Sequence, residues 1–201
     1  KLDVTQITSF NTTQLQAFTT AHAGVLTAAQ MAGLDSSQIA KLEAEDFSSL
    51  STGVIAALTD AQIDGLTAQQ IADLTTSQAA ALTAGQLAGL STAQLLAMES
   101  TDFSKLSTAA IAALSVTQAA VLNADQIGSL STAQFVAMEQ ADLGKLNTTA
   151  IAGVTTAQAS VLTATQAAGL TSTQLAKMDP EDVQQFSTAV IAGLTADQLN
   201  G

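Results

Sequence analysis

Carboxylates stand three residues apart at four places in the chain: Glu43 with Asp46, Glu99 with Asp102, Glu139 with Asp142, and Asp179 with Asp182. Paired oxygens at that spacing suit a hard cation, and these eight residues are the candidate ligands for Ca2+. Calcium takes roughly six to eight oxygens, and two carboxylates at a time are sparse. The D-x-D-x-D-G loop and the glycine-rich nonapeptide of calcium-binding β-rolls are both absent. The structural alternative is an acidic residue at a helix start, facing the positive end of the helix dipole. Lys41, Lys105, Lys145 and Lys177 lie nearby in sequence and suggest local ion pairs. The expectation is a structural role for the acids, with Ca2+ as the alternative.

Other chemistry is thin. His22 is the one histidine, and Thr20, Ala21 and Ala23 beside it offer neither a nucleophile nor a carboxylate. A general base needs such a partner held within hydrogen-bond reach. With no cysteine there is no thiolate metal site and no disulfide. No glycine-rich phosphate loop, Ser/His/Asp set or zinc spacing occurs. No catalytic residue, no cofactor and no enzyme activity are expected. Recurrent Thr and Ser could form a hydroxyl array for ice or glycan, a remote alternative.

The elements that would position these residues follow from one period. From Leu2 to Gly201 the chain is an octad written twenty-five times without insertion or deletion. With positions labelled a to h, a is Leu, Phe, Met or Val, as in Leu2, Phe10, Leu26 and Met98. Position b is Ser, Thr, Asp or Asn except at Glu43, Glu99 and Glu139, and e is Gln in sixteen copies. Position f is always apolar, d and g are mostly small, and h is often Gly or Ala.

The run from b to e reads S/T-x-x-Q, a capping box: the b hydroxyl accepts from the N3 amide and the N3 Gln reaches back to the N-cap amide. A start signal every eight residues predicts a helix of one and a half to two turns in each octad. Pro180 sits at c, the first helical position, where a missing N–H costs nothing. Glycines at h, such as Gly33 and Gly65, suit a helix end that must turn sharply.

One continuous helix is excluded, because at about 100° per residue an eight-residue step drifts by about 80° and spreads the a column around every face. A β-solenoid would put a and f on opposite faces of a strand, and the Ala- and Gln-rich filling with little Val and no Tyr argues against strands. The sequence therefore predicts an all-α fold, a solenoid of very short helices running continuously over residues 1–201. It should have a thin Leu/Ile spine and a polar Thr/Ser/Gln skin. Such a stack is stabilised by neighbouring repeats rather than by any octad alone.

The acidic octads impose a slower rhythm. Each is followed by an octad with an apolar residue at e: Val54, Ala110, Ala150 and Val190. The last three acidic octads recur every forty residues, a superrepeat of five octads, while the first gap is fifty-six. A duplication of two octads near residues 58–82 would account for the difference.

A net charge of −12, with five Lys and no Arg, argues against nucleic acid and anionic membrane surfaces, which call for basic patches. No apolar run approaches the roughly 18 residues of a membrane-spanning helix, so no membrane insertion is expected. Absence of cysteine fits an extracellular or cell-surface location.

The phrase Leu82-Thr-Ala-Gly-Gln-Leu-Ala-Gly-Leu90, read as LTxxQ(I/L)xxL, resembles the repetitive regions of giant secreted or cell-surface bacterial proteins. That resemblance implies an adhesin stalk, matrix component or filament. The LTxxQ start is also similar to helix openings in TAL-effector repeats. Those are longer units, and this chain has neither a base-reading pair nor a basic stripe. The expected function is a structural, non-enzymatic extracellular spacer, stalk or fibre subunit that self-associates into a fibre or array. The alternative is a binding module whose acidic octads or concave surface take Ca2+, a glycan or a protein.

Overall fold

A computed structural model describes residues 3–200. Lys1, Leu2 (the first residue of the a column) and Gly201 lie outside the described residues. Among the described residues there are twenty-five short helices and no strand, one helix per octad from α1 (Val4–Thr8) to α25 (Ala196–Leu199). Each helix has four to six residues, occupying c onward. That is slightly shorter than the one and a half to two turns expected. The residues at a and b are extended: Leu82, for example, has φ −61° and ψ 131°, and Thr83 has φ −79° and ψ 163°. Two extended residues thus turn the chain between helices. No glycine does so by a left-handed conformation, since positive φ is absent among the described residues.

The capping box explains why each helix starts where it does. At α11 (Ala84–Gly89), the Gln86 N–H donates to Thr83 Oγ1 at 3.2 Å and the Thr83 N–H donates to Gln86 Oε1 at 2.9 Å. The reciprocal pair satisfies two amides that a helix start otherwise leaves without partners. Pro180 begins α23 (Pro180–Val183), as expected.

The chain divides into two compact units, Lys1–Leu106 and Ser107–Gly201. In the first, each helix packs on the one three octads along: α8 (Asp60–Asp64) on α5 (Ser36–Ile39), and α9 (Ala68–Ala72) on α6 (Ala44–Ser48). In the second, α19 (Thr148–Ile151) packs on α16 (Ala124–Ser129) and α21 (Ala164–Ala167) on α18 (Gln140–Leu143) in the same way. Three octads therefore make one coil, and each unit is a solenoid-like stack of such coils. The a and f residues fill the interior: Leu50, Ile55 and Phe103 in the first unit, Leu122, Ile127 and Phe135 in the second.

Two sequence expectations need correction. The h glycines Gly33, Gly65, Gly153 and Gly169 serve close approach between coils rather than a left-handed turn. A Cβ on Gly65 would lie 2.4 Å from the Ser36 Cβ, and one on Gly153 only 2.3 Å from the Ala124 carbonyl oxygen. Both contacts reach back twenty-nine residues, onto the preceding coil. The Gln column is also inside rather than part of the skin, with twelve glutamines from Gln30 to Gln174 buried. Burying an amide is costly unless it is hydrogen-bonded, which leads to what these side chains hold.

Candidate functional site

The interior glutamines make two kinds of bond at once. Oε1 closes the capping box, and Nε2 of Gln62, Gln70, Gln78, Gln86 and Gln94 in the first unit, and of Gln158, Gln166 and Gln174 in the second, donates to carbonyl oxygens of the preceding coil. Gln86 Nε2 reaches Ile55 O at 2.8 Å and Leu58 O at 2.9 Å. Gln70 reaches Ile39 and Leu42, both at 2.9 Å. In the second unit Gln158 reaches Ile127 at 2.8 Å and Leu130 at 2.7 Å, and Gln174 reaches Leu143 and Leu146 at 2.9 and 2.8 Å. These buried glutamines share offsets of 31 and 28 residues, the f and a carbonyls where one helix hands over to the next, while the half-buried Gln38 reaches Thr8 O and Phe10 O, at offsets of 30 and 28. A ladder of amides thus ties coil to coil.

The signal for this second role was the choice of Gln at e. A capping box accepts Glu equally well, but a carboxylate has no hydrogen to give. Only the amide can accept from its own cap and donate to the neighbouring coil.

The acidic octads interrupt the ladder. Their two carboxylates do not act together: Glu43, Glu99, Glu139 and Asp179 at b are exposed, while the e aspartates point inward. Asp46, Asp102, Asp142 and Asp182 are 3%, 3%, 1% and 5% exposed. The b glutamates make no cap hydrogen bond, and Asp179 accepts from the Glu181 N–H at 3.0 Å instead of from N3. Among the described residues no three Asp, Glu, His or Cys side chains converge on a point that could hold a metal ion.

Burial, the larger cause, and then the adjacent Glu99 push the Asp102 carboxyl up to about 6. Burial and the Glu139 charge push Asp142 up to about 6 as well, against a lowering by the Glu139 backbone N–H. Asp46 is raised by burial, then by Glu43 and Glu45, with His22 opposing. Asp182 is raised by burial, then by Asp179 and Glu181. No lysine figures among these causes, so the ion pairs suggested by sequence do not govern the aspartates.

By register, these aspartates would tie the carbonyls of Phe18, Leu74, Leu114 and Val154, and none of those oxygens accepts a hydrogen bond among the described residues. Oδ2 of Asp46 and of Asp142 is buried without a partner. The octad after each acidic one has an apolar e residue and no amide there. At α19 the b residue compensates: Asn147 Nδ2 donates to Ala120 O at 3.2 Å and Leu122 O at 2.8 Å, while its Oδ1 accepts from Ala150 N–H. Nothing in the octad pattern foretold that substitution.

His22 takes the place of Gln in its octad. Its Nδ1 accepts from the Thr19 N–H at 3.3 Å and its ring meets Phe18 edge-on at 5.7 Å. Phe10 and Phe18 stack edge-to-face at 5.5 Å. With Gln14, Val25 and Leu26 they line an open, largely apolar groove of about 740 Å³ in the first unit. No nucleophile or carboxylate lines that groove.

No helix among the described residues is long and apolar enough to cross a membrane. No curated protein matches the chain. The ALTTAQ repeat matches at residues 39–76, 95–132 and 135–172. The matches begin 56 and 40 residues apart, and each contains one acidic octad. Together they cover more than half of the sequence, and the chain belongs to the ALTTAQ repeat family.

Proposed function

We propose that this chain is a structural, non-enzymatic extender that works outside the cell or at its surface, as a spacer, stalk or fibre subunit. The amide ladder is the observation that carries the reading. Along the ladder the a and f carbonyls of one coil are consumed by glutamines of the coil after it, so a coil is mainly a seat for the next coil. Repetition then sets length, and the backbone is tied in a way that resists being pulled apart. The net charge of −12 keeps such a surface hydrated and repels non-specific partners.

Self-association belongs to the same reading. The groove around Phe10 and Phe18 presents a and e side chains, with Ala17 and Val25 from h, and the a and e types elsewhere lie beneath another coil. A second copy covering it would extend the array.

Electron microscopy of the purified chain, together with variants carrying added octads, tests the proposal. Rod or fibre length should grow in step with octad number, and chelation with EDTA should leave the helical circular dichroism unchanged. Compact particles of constant dimension, or helix loss on chelation, would remove the extender reading and favour a ligand-ordered binding module.

A further inference from the structure

The four acidic octads that interrupt the amide ladder share one construction. A buried carboxyl occupies the position of the donor, and the a carbonyl that a donor would tie is left without a hydrogen bond. Leu74, Leu114 and Val154 are buried and Phe18 half-buried, and an interior carbonyl oxygen wants a hydrogen. A carboxylate cannot supply one, but a carboxylic acid can, since it carries one O–H donor. Aspartate is one methylene shorter than glutamine, a gap that a single water can bridge.

We propose that Asp46, Asp102, Asp142 and Asp182 are proton-operated ties between coils. Protonated, each donates, directly or through one water, to the carbonyl of Phe18, Leu74, Leu114 or Val154 respectively. Ionised, each sets a buried charge beside that oxygen and the tie opens. The proposal stands apart from the extender role and would hold for a binding module equally.

Few other charges act on these groups. Asp142 on α18 faces α15 (Val116–Ala119) and α21, neither of which carries a charged residue, and of the two charged residues sharing its octad, Glu139 and Lys145, it is Glu139 that raises it. Asp102 on α13 (Ser100–Phe103) faces the uncharged α10 (Thr76–Ala81) and feels Glu99. Asp182 faces the uncharged α20 (Thr156–Val161) and feels Asp179 and Glu181. Asp46 differs: α3 (Thr20–Ala23) sets His22 against it beside Glu43 and Glu45, while α9 adds no charge.

The sign follows from the raised carboxyls. A group that binds its proton more tightly when folded contributes stability that is complete below its ordinary midpoint and is lost as pH rises through the folded one. For Asp102 and Asp142 the window runs from the ordinary 3.8 to about 6.

Two measurements test this. Carboxyl-carbon NMR on the full chain, labelled at aspartate, should give Asp142 a midpoint near 6; an ordinary carboxylate midpoint overturns the proposal. Thermal melts should place Asp142→Asn, and the variant with all four aspartates replaced by asparagine, several degrees above wild type at about pH 7.5. The asparagine amide is a permanent donor, so the difference should close by about pH 4. A difference that ignores pH, or a variant that melts lower at neutral pH, overturns the proposal. Added CaCl2 should not raise the melting temperature at neutral pH. A rise seen in wild type and lost in the fourfold variant would make the carboxyls cation ligands instead.

Discussion

A single glutamine in this fold does the work of two residues, and its parts can be separated by substitution. Gln86→Glu keeps the acceptor that closes the capping box and removes the donor that ties Ile55 and Leu58. It also places a charge in the interior. The expected loss is about 3–5 kcal/mol, typical of an uncompensated buried charge, read from urea unfolding at neutral pH. Thr83→Ala removes only the N3 cap and should cost about 1 kcal/mol. Near-equal losses would mean that the inter-coil tie contributes little. The cap was legible in sequence because both partners lie within three residues. The tie was not, because its offset of 28 depends on how many octads make a coil. For the same reason the paired acids looked alike in sequence, although b faces solvent and e faces inward.

At the scale of the helix, closeness between coils decides which glycines are needed. Gly85 and Gly153 are both glycines in or beside short helices, but their surroundings differ. A Cβ on Gly85 meets nothing within 4 Å, whereas one on Gly153 would collide with the Ala124 backbone. Gly85→Ala should therefore stabilise by up to about 1 kcal/mol through helix propensity. Gly153, which lies past the end of α19, has no such gain, and Gly153→Ala should destabilise, because backbone cannot move aside as a flexible side chain can. Thermal melts of the pair check this, and a stabilised Gly153→Ala would show that the coils can part at little cost. Helix existence, the N-caps and the place of Pro180 all follow from local sequence. Where one coil touches another is a property of the stack, and the small residues at h hinted at contact without giving its partner.

At the scale of the whole molecule, register is the quantity the fold protects. Inserting one further copy of residues 82–89 keeps each downstream glutamine 28 and 31 residues from suitable carbonyls, so cooperative unfolding should survive. The urea dependence should steepen with the added surface. Inserting only four residues puts every following a residue out of register. The expected result is a broadened transition and reduced helicity by circular dichroism. The periodicity made the all-α repeat architecture readable from sequence, since no other regular structure buries an eight-residue column. The number of octads per coil was not readable, because it rests on interior packing that every octad shares.

Three octads per coil, set against the spacing of the acidic octads, distributes the buried aspartates around the axis. In the first unit α6 and α13 are seven octads apart, two coils and one octad over. In the second α18 and α23 are five apart, one coil and two octads over. Within each unit the two acids therefore occupy different sides. Had the spacing been a multiple of three, ionisation of the acids would loosen one side and bow the stack like a bimetal strip. With the spacing found here, the two loosened points of a unit lie on two of its three sides and at different heights. A change of pH then spreads its effect over two sides of a unit instead of opening a single seam.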